Sequence, residues 1–232
     1  MIEMMLVPGR LKSIDPPDPI IPAKYIGEVL ASNFITGQEL ASQVGMTNGV
    51  LINSDTPWIH MTMDGKDLFF PIKPIRHTVT YNTLSAANVI SGSRSITING
   101  ELYKVRLFKT LKDDTKNTTP INGFDVTTTH GSEWNRLMYH ISGKPFKSPS
   151  NTFGSEGITE GDLARYTETA LVTHSSFGLG SWIICQEQPL GNNIYRWMRG
   201  GEGASGVGYT RLDEVWNAMG WRPILERIPS VV

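Results

Sequence analysis

The stretch that decides the reading opens with Asn193-Ile194-Tyr195-Arg196-Trp197-Met198-Arg199-Gly200-Gly201 and closes, after a glycine-rich passage, with Gly220-Trp221-Arg222-Pro223-Ile224-Leu225-Glu226-Arg227. Its first part is strand-like, rich in aromatic and β-branched side chains. Gly200 to Gly208 carries too many glycines for regular structure. Thr210-Arg211-Leu212-Asp213 resembles a capping box, with Leu212, Val215, Trp216 and Met219 at helical spacing and Gly220 as a stop. The spacing predicts a helix over 211–219. Trp221 to Arg227 reads as one final strand.

The same passage contains a literal G-x-G-x-x-G, from Gly201 through Gly203 to Gly206, with Glu226 placed twenty residues on. A dinucleotide site would need a parallel βαβ unit around those glycines, and only 26 residues follow Gly206. The motif is therefore read as a surface loop. No G-x-x-x-x-G-K-[ST] is present, so a phosphate-cradling loop of that type is excluded.

Before this stretch, Gly180 to Glu187 reads as a further strand. Gly131-Ser132-Glu133-Trp134-Asn135-Arg136-Leu137-Met138-Tyr139-His140-Ile141 is the clearest helix, with Ser132 as cap and Trp134, Leu137, Met138 and Ile141 on one face. Asn99-Gly100 joins two alternating runs within Arg94 to Phe108, and Asp64-Gly65 joins Trp58–Met63 to Lys66–Pro71. Both are hairpin signals, because both turn residues must take positive φ. Thr36 and Gly45 bracket a short helix, and 82–90 reads as another. Residues 109–120 and 144–157 read as loops, and Thr159 opens a short helix through Tyr166. At the N-terminus, Pro16, Pro17, Pro19 and Pro22 forbid helix and favour an extended arm, whose Met4, Met5, Leu6, Ile20 and Ile21 need covering.

With 232 residues and 39% hydrophobic content, the chain can bury a substantial core. A net charge of −1 argues against nucleic acid as a partner. No apolar run is long enough to cross a bilayer, and the N-terminus has no signal-peptide pattern, so no membrane insertion is expected. Cys185 is the single cysteine, read as a small buried apolar residue in a protein made in a reducing cytoplasm.

Catalytic and metal signals are weak. His60, His77, His130, His140 and His174 form no H-x-x-x-H pair, and Asp113-Asp114 and Asp125 lack calcium-loop spacing. No G-x-S-x-G elbow occurs, Thr173-His174-Ser175-Ser176 reads as a polar loop, and Glu156 and Glu160 mark no cleft. No metal, no cofactor and no enzymatic activity are expected. Of six tryptophans, four crowd into the last fifty-odd residues beside glycines. Each is read as core, large aromatics being how a domain of short elements fills its interior.

Three stretches taken together resemble virion structural proteins of tailed bacteriophages. They are Lys73-Pro74-Ile75-Arg76-His77 with Tyr81-Asn82-Thr83-Leu84, then Gly131 to Leu137, then the Arg199-Gly200-Gly201 and Gly220–Glu226 pair. Ile98 to Leu107 and Trp182 to Glu187 fit the same order, so the likeness covers residues 25–232. The closing pair is also similar to the end of the C-type-lectin fold of formylglycine-generating enzymes and phage tropism determinants. That resemblance implies structural roles for Trp134, Arg199, Gly200, Gly201, Gly220, Trp221 and Arg222, pinning neighbouring strands, with Arg222 hydrogen-bonded to backbone carbonyls. It implies a display surface between 202 and 217, with Glu202, Ser205, Tyr209, Thr210, Arg211 and Asn217 as candidate contacts. The oxidation carried out by those enzymes needs a cysteine pair, and this chain has Cys185 alone.

The expected architecture is α+β: an extended arm over 1–23, a β-rich section over 24–75, and a C-type-lectin-like domain over 76–232. The expected function is a structural component of a tailed phage particle, in tail, baseplate, neck or fibre attachment. Other virion proteins are the expected partners, with a homo-oligomer as default, and the chain would be assembled in the host cytoplasm. The alternatives are an adhesin that meets a host-surface glycan or protein through 202–217, and a catalytic lectin-fold domain.

Overall fold

The computed structural model describes residues 23–110, 132–142, 165–189, 192–204 and 206–229. Nearly all of the proline-rich arm lies outside them, as do the loop 144–157, most of the loop 109–120 and all but Arg165 and Tyr166 of the helix expected from Thr159 to Tyr166.

Local chemistry sets the short elements. Strand β1 (Lys24–Val29) leads to helix α1 (Gly37–Val44). Thr36 Oγ1 accepts from Glu39 N, the Glu39 carboxylate accepts from Thr36 N in return, and Gly45 closes the helix at φ 73°. After β2 (Val50–Leu51), β3 (Trp58–Met63) and β4 (Lys66–Pro71) pair through Asp64 and Gly65 at φ 51° and 73°. Next come β5 (Arg76–His77) and α2 (Tyr81–Ala86), which stops short of the expected 90. Asn88 turns there at φ 59°, so that Val89 is buried and the chain can enter β6 (Ser91–Ile98). The β6 strand pairs with β7 (Glu101–Arg106) around Asn99-Gly100.

The Trp134 segment is helical from 133 to 142 but is not a plain α-helix. Asn135–Tyr139 take π geometry before His140–Ser142 return to α, and the whole segment is termed α3. Trp134, Leu137, Met138 and Ile141 are all fully buried, and Ser132 Oγ accepts from Asn135 N. Arg136 clamps the segment to the β3–β4 turn with two bonds to Asp64, at 2.6 and 2.7 Å. That guanidinium holds the Asp64 carboxyl below its ordinary range. Helix α4 (Glu168–Leu171), capped by Thr167, then precedes β8 (Trp182–Ile184), β9 (Tyr195–Gly200), β10 (Val207–Arg211), β11 (Met219–Trp221) and β12 (Ile224–Arg227).

Two six-stranded sheets result. The first, in order β1-β3-β4-β12-β7-β6, is antiparallel throughout. The second, in order β10-β9-β8-β11-β5-β2, has one parallel pair, β8 with β11. Each sheet contains strands from both sides of residue 75: β4 pairs with β12 in the first, and β2 pairs with β5 in the second. Alternation along the strands feeds two apolar clusters. Trp58, Phe69, Val105, Leu225, Met198 and Trp221 enter one with α1 and α2. Ile59, Phe70, Ile224, Ile183 and Trp197 enter the other with α3. The fold is α+β, with strand outweighing helix.

Three local expectations are corrected. Residues 211–219 are not a helix: Arg211 ends β10, turns and extended chain follow, and Met219 starts β11. Pairing of β10 with β9 over five positions, Val207 to Arg211, overrides the helical spacing, and Val215 and Trp216 are exposed instead of forming a buried face. Gly200 and Gly208 belong to strands, contrary to an irregular 200–208 passage. The final strand is two: Trp221 lies in the second sheet and Ile224 in the first, because Pro223 has no N–H to continue a ladder. The Arg199 and Trp221 strands are consequently not side by side; β8 lies between them.

Gly201 shows why a glycine stands there. At φ 75° its Cα lies under the Trp182 indole, where a Cβ would fall 1.9 Å from Cε2. Gly201→Ala should cost about 3 kcal/mol or more in urea unfolding, through strain and forced repacking. Gly27→Ala, with nothing within 4 Å of the added atom, should stay within about 0.5 kcal/mol.

Candidate functional site

The residues with expected structural roles are all buried, and the topology gathers most of them near the middle of the second sheet. Arg199, fully buried, donates Nη2 to Asn135 Oδ1 at 2.6 Å and lies 5.8 Å from the Trp134 ring centroid. Trp134 in turn donates its indole N–H to Ala204 O at 2.6 Å. The SEWN sequence and the RGG sequence thus meet: α3 supplies the tryptophan and asparagine, and β9 the arginine. Gly220 packs against Gly180, where a Cβ would come within 2.0 Å of the carbonyl oxygen. Trp221 is fully buried and pairs with Arg76 across β11 and β5.

Arg222 follows at the point where the chain leaves the second sheet for the first. It is fully buried and donates Nη2 to the carbonyls of Ile72 (2.8 Å) and Leu171. No carboxylate is bonded to it among the described residues, and burial pulls its pKa down to about 9. It is still charged at neutral pH.

A second charge group, centred on buried Arg106 and Glu133, was not anticipated from the sequence. Arg106 meets Glu133 in a two-bond fork at 2.8 and 2.7 Å and Glu226 at 2.8 Å, and Lys66 approaches Glu226 at 3.1 Å. Glu133 also accepts from Lys109 N. Burial opposes the Arg106 charge, but the two carboxylates outweigh it and its pKa is raised. Burial alone would raise Glu226; Arg106 and Lys66 outweigh it and hold its carboxyl low. The available signal was the charged residue beside each motif aromatic or leucine, Glu133 before Trp134 and Glu226 after Leu225.

The expected display residues divide. Glu202, Tyr209, Arg211 and Asn217 are exposed, Ser205 lies outside the described residues, and Thr210 is fully buried. Thr210 cannot be a surface contact: alternation turns it inward, where its Oγ1 bonds Glu214 at 3.0 Å. Tyr209 stands edge-on to Tyr195 at 5.3 Å on the opposite face of β10, the face that carries Arg211. Asn217 O accepts from Gly180 N, so its backbone is structural even though its side chain is free to solvent. Beside these, Val215 and Trp216 on the β10–β11 connection are 55% and 44% exposed, and Ile194 before β9 is 46% exposed. Trp216 is thus not a core tryptophan, and Trp182 is half-buried.

Cys185 is buried, its thiol directed at Ile183 O, and burial raises its pKa well above the ordinary value, as suits an inert thiol. His130 lies outside the described residues, and no cluster of three metal-ligating side chains occurs among those that are described. No described helix is long and apolar enough to cross a membrane.

A cleft of about 610 Å³ opens where the two sheets meet. Asn53, Ser54, Asp55, Thr56 and Lys73 supply its polar lining; Pro57, Ile72, Ala170 and Tyr166 supply the apolar part. Nothing in the local sequence, a polar turn before Trp58, marked it as a cavity. In comparisons with known proteins, no family model, no curated protein and no solved structure matches the chain.

The low pKa of Glu226 fixes the sign of a pH effect. A carboxyl held below its ordinary 4.5 contributes stability that is present above that value and lost as pH falls through the folded pKa. Glu226→Gln should therefore lower unfolding free energy near neutral pH by about 1–3 kcal/mol. The gap to the parent protein should close as urea melts are repeated below pH 4.5.

Proposed function

We propose that this chain is a structural component of a tailed-phage particle that acts by protein–protein assembly rather than catalysis. The observation that carries the reading is the contrast between its inside and its surface. The motif residues that underlie the phage resemblance, Trp134, Arg199 to Gly201 and Gly220 to Arg222, are consumed in holding the fold together. Buried Glu133 and half-buried Glu226 are both paired with Arg106, and Glu226 with Lys66 as well, which favours a frame over an acid–base site. Large apolar groups meanwhile stand in solvent on a connection with no regular structure, Val215 and Trp216, with Ile194 exposed at the start of β9. Exposed tryptophan is enriched among residues that dominate protein interfaces. This connection, tied to the frame at Leu212 O by Asn82 N and at Asn217 O by Gly180 N, is the assembly face.

A second reading, an adhesin for a host-surface glycan or protein, is favoured by the exposure of Glu202, Tyr209, Arg211 and Asn217. The two are separable. Under the assembly reading, Trp216→Ala and Val215→Ser reduce incorporation into particles at least tenfold. Their unfolding free energy shifts by no more than about 0.5 kcal/mol, as for other exposed positions. Particles that incorporate both variants normally would sink the reading. Under the adhesin reading, purified protein binds receptive cells and Tyr209→Ala with Arg211→Ala abolishes binding.

A further inference from the structure

We propose that the cleft at the meeting of the two sheets is a binding site for a neutral saccharide. It is a different surface from the β10–β11 connection, and the argument does not rest on the assembly reading. Its volume, about 610 Å³, lies within the range of pockets that enclose small ligands.

The chemistry of the lining selects the class. Asp55 and Lys73 bring one carboxylate and one ammonium, whose formal charges cancel, so neither an anion nor a cation is favoured. Among the described residues neither has a hydrogen-bond or ion-pair partner, leaving one strong acceptor and one strong donor for a ligand. Ser54 Oγ accepts from Gln38 N, which leaves its hydroxyl proton to donate. Asn53 uses Nδ2 on Pro74 O, which leaves its side-chain oxygen to accept. Tyr166 has its hydroxyl committed to Glu28 Oε1 at 2.5 Å, so what it offers the cleft is ring carbon. With Pro57, Ile72 and Ala170 that makes an apolar surface beside mixed donors and acceptors. A pyranose has this same division, a C–H face and a rim of hydroxyls that both donate and accept.

The walls are held before any ligand arrives, which reduces the ordering cost of binding. The 53–57 turn is fixed by Gly37 N to Ser54 O (2.8 Å), Thr56 N to Asn53 O (3.1 Å) and Ile72 N to Pro57 O (2.9 Å). Arg222 donates to Ile72 O and Leu171 O together, tying the lining residue Ile72 to the end of α4. Tyr166 N bonds Ile141 O, which fixes the far wall to α3.

The test is ligand-observed NMR saturation transfer with the full chain against glucose, galactose, mannose, rhamnose, N-acetylglucosamine and N-acetylgalactosamine, with glycine and alanine as zwitterionic probes. At least one sugar should bind saturably, with Kd on the order of 1–10 mM. Asp55→Ala and Lys73→Ala should each weaken it tenfold or more with melting temperature unchanged, because Asp55 is exposed and Lys73 half-buried, with no bonded partner among the described residues. Tyr209→Ala, on another surface, should leave it intact. The proposal is overturned if no sugar saturates, if binding survives both cleft substitutions, or if the amino acids bind through Asp55 and Lys73 while sugars do not. None of these outcomes bears on particle incorporation, so the two readings fail separately.

Discussion

The structure depends on one buried cation at a change of direction. At Arg222-Pro223 the chain leaves a sheet it has barely entered and crosses to another, and the arginine side chain reaches back to Ile72 O and Leu171 O. Two buried carbonyls with no other partner would each cost on the order of 1–3 kcal/mol, so the guanidinium is placed where its absence is expensive. It binds three stretches distant in sequence: the β4–β5 connector, the end of α4 and the β11–β12 turn. Ile75 N to Trp221 O adds a backbone tie across the same seam. Because β4 and β12 then pair in the first sheet, and β5 and β11 in the second, the seam fixes the register of both.

Around that seam the second sheet is built by close approach rather than by bulk. Trp182 lies over Gly201, and Gly180 against Gly220, and any side chain at either glycine would push strands apart. Arg199 and Trp134 then connect the sheet to α3, and the Arg106 group connects α3 to the first sheet through Glu133 and Glu226. A frame fixed at so many buried points can carry irregular surface without losing shape. The β10–β11 connection and the 53–57 turn are the described surfaces proposed above to meet a partner or ligand.

Much of this was legible in the chain. Asp64-Gly65 and Asn99-Gly100 specified their hairpins because each turn demands φ values that those residues tolerate, a purely local matter. Thr36 and Gly45 marked α1 for the same reason, and the i, i+3, i+4, i+7 stripe of Trp134 marked α3. Arg222 was expected to bond backbone carbonyls and does. The failures were non-local. Leu212, Val215, Trp216 and Met219 have helical spacing, but the strand partner of β10, set by residues 195–199, determined the outcome there. Thr210 was counted as surface, and a strand in place of a loop turned it inward. The Arg106 group joins positions 27 and 120 residues apart, and the cleft is lined from three separate stretches. No window of sequence contains either.

The Arg222 seam makes the two sheets one cooperative unit. Native-state hydrogen exchange in graded urea measures this directly, amide by amide. Leu225 and Glu226 in β12 and Gly220 and Trp221 in β11 should exchange only through global unfolding, with the same free energy and the same urea dependence. Separate free energies for the two strands, one sheet opening while the other stays closed, would contradict it.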